Sequence, residues 1–217
     1  MIIRSISGVR GIVDTHFNTK TIQNYARSFH AHVEPGLIFL GRDSRPSGEK
    51  LLDVFTAELI RLGRDVVVCG IVPTPTVQFM VERSEASGGV IITASHNPIE
   101  WNGLKFLDDD GCFLNPEKME QLLSQDPKSI ASNIIGDMIE SENAYKNHIQ
   151  NVLNLSCIDI NKVKAKNFKV VVDTVNGAAY KALPELLEAL NCDVVKIHCD
   201  NDGTFPRGTE PIPSHLE

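Results

Sequence analysis

Apolar segments of two different periods alternate along this chain, and that alternation restricts the fold more than any single residue does. The runs at 37–40, 65–69, 88–94 and 103–107 are short and nearly continuous, as strands covered on both faces require. Between them, Ile22, Tyr25, Ala26, Phe29 and Val33 recur at helical spacing behind Thr19, a residue type that caps helices. Leu51, Leu52, Phe55, Leu59 and Leu62 do the same behind Ser47, and Gly63 supplies a stop. Pro75 suits the first turn of a helix carrying Val77, Met80 and Val81. Further helices are expected near 115–123 and over 142–153, the latter with Tyr145, Ile149 and Val152 on one face. The order predicts an α/β fold: a layered α-β-α domain around a mixed, largely parallel sheet.

Polar and basic residues over 155–166 interrupt the pattern, which then restarts: a strand at 169–173, a helix over 177–190 and a strand at 193–198. Leu183, Leu186, Leu187 and Leu190 are expected to face inward on that helix, and a turn-rich tail follows from 199. The expected organisation is one domain over 1–154 and the start of a second, similar domain over 155–217. Alone, a unit of about 60 residues is marginal for an independent core.

Composition narrows the function. Twenty-one Lys and Arg against 28 Asp and Glu leave a formal charge of −7, with no basic block, which argues against nucleic acid and anionic membrane as partners. No apolar run approaches the roughly 18 residues of a membrane span, and residues 1–11 carry no signal-peptide core. Five scattered cysteines without a C-x-x-C pair disfavour a disulfide framework or a structural zinc site, and the expected compartment is the cytoplasm. Cys69, inside a Val-rich strand, reads as core filler.

The sharpest chemical feature is Thr93-Ala94-Ser95-His96-Asn97-Pro98, where an apolar strand ends in a hydroxyl, an imidazole and an Asn-Pro turn. Ligand sites of open α/β sheets lie beyond the carboxyl ends of the strands. A turn capped by Ser95 and Asn97 is the plainer alternative. A hydrolase triad is disfavoured, because His96 is adjacent to Ser95 and no G-x-S-x-G elbow surrounds it. Gly8-Val9-Arg10-Gly11 sets a guanidinium between two glycines, and Asn102-Gly103-Leu104-Lys105 brings an ammonium in after the serine loop. Gly41-Arg42-Asp43-Ser44-Arg45-Pro46-Ser47-Gly48 leads into a helix N-terminus, a natural anion site, although an Arg42–Asp43 pair fixing the loop is the stronger expectation. Asp108-Asp109-Asp110-Gly111 imitates a metal cluster but reads as a solvated turn, and Arg207-Gly208-Thr209-Glu210-Pro211 as a structural connection.

Together the Arg10, Arg42–Arg45, Ser95 and Lys105 motifs resemble the α-D-phosphohexomutases, which include phosphoglucomutase, phosphomannomutase and phosphoglucosamine mutase. The order and spacing agree over 1–153; Asp173-Thr174-Val175-Asn176-Gly177 and Asp202-Gly203-Thr204-Phe205-Pro206 then resemble the start of that family's second domain. The resemblance implies a four-domain enzyme that interconverts hexose or glucosamine 1-phosphates and 6-phosphates through a bisphosphorylated sugar. By that analogy Ser95 is the phosphoserine and Arg10 steadies the phosphoryl group, while His96 and Lys105 serve proton transfer and substrate orientation. It also implies Mg²⁺, held here only by the phosphate on Ser95, with carboxylate ligands expected after residue 217, and a hexose 1,6-bisphosphate as activator. On that reading the 217 residues are an incomplete, poorly active portion able to self-associate through the unfinished second domain. The alternative is a non-catalytic module, built on the same domain, that binds a phosphosugar or a protein partner.

Overall fold

The computed structural model describes residues 1–125 and 132–215. Seven strands form one sheet: β1 (Ile3–Ser5), β2 (Gly8–Ile12), β3 (Ile38–Arg42), β4 (Val66–Ile71), β5 (Gly88–Ile92), β6 (Trp101–Leu107) and β7 (Met138–Glu140). Their order in space is β1-β2-β6-β5-β3-β4-β7. The half from β5 to β7 is parallel, with β3 between β5 and β4, and the half from β1 to β5 is antiparallel. With the parallel pair β8 (Lys169–Asp173) and β9 (Asp193–Ile197), four strand pairings are parallel and three antiparallel.

Successive residues of a strand point to opposite faces, and here they feed two separate cores. Ile38, Leu40, Val66, Val90, Ile92, Leu104 and Phe106 pack beneath α1 (Thr19–His32), α2 (Gly48–Arg61) and α4 (Pro116–Ser124). Phe39, Val67, Cys69, Ile91 and Leu107 pack on the other face with α3 (Thr74–Glu82) and α5 (Ala144–Leu153). The layering is therefore α-β-α. Cys69 is core filler: it is buried, and burial pushes its thiol up to about 12.

Local differences from the sequence reading have simple causes. The cap of α1 is Asn18, whose Oδ1 accepts from the Thr21 N–H at 3.1 Å, so Thr19 is already inside the helix. Ser47 precedes α2 without capping it, because its hydroxyl accepts instead from Asn102 Nδ2 at 2.9 Å. The first two strands are short and antiparallel to their neighbours. In the second unit, residues 177–181 turn, and α7 (Ala182–Ala189) begins only afterwards. None of Leu183, Leu186, Leu187 and Leu190 is fully buried, and Leu183 is 39% exposed. Two strands, preceded by the short α6 (Ile160–Lys164), offer too narrow a surface to cover that helix face.

Candidate functional site

β5 ends at Ile92, and the chain then turns sharply over β6. The Thr93 N–H donates to Gly103 O at 3.0 Å, and the Asn97 N–H to Ala94 O at 3.1 Å. Ser95 sits at the apex with φ +58°, in the left-handed region, which costs a non-glycine residue on the order of 1–2 kcal/mol. Such a conformation persists only where the surroundings over-determine it. Its N–H donates to the Thr93 hydroxyl at 3.0 Å, whose own proton goes to Asp43 Oδ2 at 2.6 Å. The side chains of Ser95 and His96 are left facing solvent.

Strand register brings the two cations to this serine. Arg10 of β2 lies opposite Gly103 of β6, and Lys105, two residues on, shares that face. Gly103 is required there: a Cβ would stand 2.6 Å from Val9 O and 2.8 Å from Thr93 O. Gly8, at φ +115°, is likewise obligatory, since a Cβ would meet Leu104 O at 2.1 Å. The result is a cleft of about 120 Å³ lined by Ser5, Ser7, Arg10, Thr93, Ser95, His96 and Lys105, among others. All four residues singled out in the sequence, Ser95, His96, Lys105 and Arg10, line it.

Arg10 Nη1 donates to Asn97 Oδ1 at 2.8 Å, while its buried Nε has no partner among the described residues. Burial, then the charge of Arg10, pushes the Lys105 ammonium below its ordinary range. The Phe113 ring, with its centroid 5.1 Å from Lys105 Nζ, pulls the other way by favouring the charged form. Two cations and no carboxylate among the lining residues make the cleft an anion site. The same donor set does not fit Mg²⁺, which takes oxygen ligands and usually carboxylates. Among the described residues no three His, Cys, Asp or Glu side chains are grouped to hold a metal ion.

The remaining motifs are structural. Asp43 pairs with Arg45 at 3.1 Å and not with Arg42, which reaches Glu49 at 3.7 Å. Burial raises the Asp43 carboxyl above the usual carboxylate range, against the pull of Thr93 and Arg45. At the head of α2 the Ser47 hydroxyl accepts from Asn102 Nδ2. Asp108 pairs with Lys118, and Asp110 accepts from the Cys112 N–H at 2.8 Å, so the acidic run is a turn. In the second unit Asn176 Nδ2 donates to Asp202 Oδ1 at 2.9 Å and to Thr204 Oγ1 at 3.1 Å, locking its two motifs together. Arg207 Nε donates to Asp173 Oδ2 at 2.6 Å, and Thr209 Oγ1 to the His96 carbonyl at 2.7 Å. The connection at 207–211 therefore touches the serine loop, a contact for which spacing carries no signal.

Known proteins share this fold. Residues 2–130 match domain I of the phosphoglucomutase/phosphomannomutase family, described as an α/β/α domain, and residues 143–217 match its domain II. A phosphoglucomutase/phosphomannomutase of Thermococcus kodakarensis is 37% identical over 220 residues, covering 97% of this chain and 48% of its own length. A phosphoglucosamine mutase of Natranaerobius thermophilus is 31% identical over 202 residues, covering 90% and 45%. The crystal structure of a candidate phosphomannomutase from Thermus thermophilus superposes with a TM-score of 0.85 at 26% identity, over 99% of this chain and 50% of that one. The chain thus spans about half the length of the curated relatives it matches. With the fold and both domain matches in agreement, this chain belongs to the phosphoglucomutase/phosphomannomutase family.

Proposed function

We propose that this chain carries the phosphoryl-exchanging serine of a phosphohexomutase acting on hexose or glucosamine 1- and 6-phosphates. The observation that carries the reading is the convergence of Ser95, His96, Arg10 and Lys105 on one cationic cleft. A phosphoserine carries about −1.5 to −2 charges at neutral pH and needs such cations.

In the first transfer a sugar hydroxyl oxygen bonds to the phosphorus on Ser95 as the bond from Ser95 Oγ to phosphorus breaks. The hydroxyl proton leaves to one of Lys105 and His96, and the departing Ser95 Oγ takes its proton from the other. The bisphosphorylated sugar turns over in the site, and its other phosphoryl group returns to Ser95 by the reverse step. Arg10 steadies the phosphoryl oxygens, a role that suits a transition state needing position and charge more than covalent help. Burial and Arg10 favour the neutral amine that Lys105 needs as a base. The rate therefore rises with pH through the lowered value of Lys105, and Lys105→Ala removes that limb.

The family implies Mg²⁺, which supplies charge neutralisation at the phosphoryl group. In this chain the phosphate on Ser95 would supply it one oxygen ligand, and the cleft lining adds no carboxylate. The 217 residues alone accordingly turn sugar phosphates over poorly; robust Mg²⁺-dependent interconversion by them would overturn this. Peptide mass spectrometry of the protein as purified, and after a hexose 1,6-bisphosphate with Mg²⁺, tests the assignment of Ser95. Phosphate on Ser95, absent from Ser95→Ala, is the expected result. Phosphate elsewhere with Ser95 bare would sink it.

A further inference from the structure

Arg45 is the largest fully buried side chain among the described residues, at 0% exposure. A buried guanidinium is tolerated only when its five N–H groups are met. All five are. Nε donates to Asp43 Oδ2 at 3.1 Å, Nη1 to the carbonyls of Pro98 at 2.6 Å and Trp101 at 3.0 Å, and Nη2 to those of Ser95 at 2.9 Å and Asn97 at 2.6 Å. Four of the five acceptors are backbone oxygens, three in the serine loop itself and one on Trp101, where β6 begins. The fifth, Asp43, also receives the Thr93 hydroxyl that accepts from the Ser95 N–H. The peptide groups on both sides of Ser95 are thus tied to one planar ion. The Phe205 ring, 5.3 Å from the Arg45 Cζ, closes the site from the second unit.

We propose that Arg45 is a positioning residue for Ser95: its guanidinium is the template on which the 95–101 loop is folded, and it holds the serine in the left-handed conformation that presents Oγ to the cleft. This rests on the assignment of Ser95 as the phosphoryl carrier. Arg45 lies beneath the loop and is not among the residues lining the cleft, so it acts on catalysis only through the loop. Lysine cannot replace it. An ammonium offers three donors from one point, whereas the loop uses five from a plane. The loop would then relax out of the φ +58° conformation, and a misplacement of about 1 Å costs on the order of 100-fold in rate.

The test uses Arg45→Lys and Thr93→Val, the second being nearly isosteric and severing only the link from Asp43 to the Ser95 N–H. Two readouts are taken on each folded variant: phosphorylation of Ser95 by a hexose 1,6-bisphosphate with Mg²⁺, and amide exchange over 93–103. For Arg45→Lys the saturating phosphorylation rate falls about 100-fold, while the half-saturating sugar concentration holds because Arg10 and Lys105 are intact. Thr93→Val moves the same way by a smaller factor, and exchange over 93–103 rises in both. A merely structural residue would lower the melting temperature without separating rate from half-saturation. Unchanged exchange and rate in the variants would overturn the proposal, and if Arg45→Lys does not fold, Thr93→Val alone decides. A wild-type protein that takes phosphate on another residue with Ser95 bare, while the variants still loosen the loop, would overturn the assignment of Ser95 and leave the template standing.

Discussion

Val66-Val67-Val68 of β4 and Val170-Val171-Val172 of β8 are the same apolar run, and each pairs in parallel with a neighbouring strand. Their fates differ. Val66 is fully buried and Val67 8% exposed, whereas Val171 is 61% exposed and only Val172, at 4%, is covered. β4 lies between β3 and β7 with a helical layer on either face, while β8 has β9 as its one partner among the described residues and α7 against it. An apolar triplet thus specifies a strand; what buries it is the number of neighbours on both edges and both faces. The candidate cleft is built where those neighbours are complete, and the second unit lines none of it, touching only the serine loop and Arg45 through its own loops.

The matched valines give the largest effect. Val66→Ala should cost about 2–3 kcal/mol, the transfer term of two methyl groups plus a cavity. Val171→Ala should cost less than about 0.5 kcal/mol, as exposed substitutions do. Urea midpoints of the two variants measure both. Equal losses would mean that the face of β8 is covered in solution, which would erase the contrast.

A smaller effect is expected where the two regions meet. The Ser44 hydroxyl donates to Asn176 O at 2.6 Å in a buried contact, with the Asn176 side chain in turn holding Asp202 and Thr204. Ser44→Ala leaves that carbonyl unsatisfied, a loss of about 1–2 kcal/mol. It should appear as faster amide exchange at residues 174–177 and 202–205, with protection in β3 and β5 unchanged. Faster exchange throughout the large sheet would show that the two regions unfold as one.

The same logic decides what was legible in the sequence. Helical periodicity located α1, α2 and α5 because each buries a stripe against a complete sheet, and the runs of β3 to β6 are apolar on both faces for the same reason. β1, β2 and β7 escaped. β1 and β7 are three-residue edge strands with almost no buried side chain, and β2 is interrupted by Gly8 and Gly11, the first of which its close pairing requires. At the site, Ser95 and His96 stand out because polar chemistry at the end of an apolar strand is unusual, whereas Arg10 and Lys105 are picked out by the family resemblance of their motifs. The role of Arg45 does not stand out, since a guanidinium four of whose acceptors are backbone carbonyls fifty or more residues away leaves no side-chain pattern to read. Nor does Thr209, whose partner is the carbonyl of a residue 113 positions earlier.

The smallest expected effect is electrostatic, and it again divides by region. Burial raises the Glu58 carboxyl in the first unit, but hydrogen bonds from Arg61 and Arg27 outweigh it and leave the group below its ordinary value. In the second, burial likewise works against Asp173, and Arg207 chiefly carries it below. Both native values therefore lie under the unfolded ones, near pH 4. The stabilisation is complete above that pH and drains away as the pH falls through the native values. The Glu58 side chain is 4% exposed and the Asp173 side chain 25%, so solvent screens the second pair more. Glu58→Gln should flatten the acid limb of a stability–pH curve more than Asp173→Asn does, measured by urea unfolding between about pH 3 and 6. If Asp173→Asn flattened it equally, the ion pairs of the second unit would be as well shielded as those of the first. Incomplete strand pairing would then govern the burial of apolar groups there without governing charge.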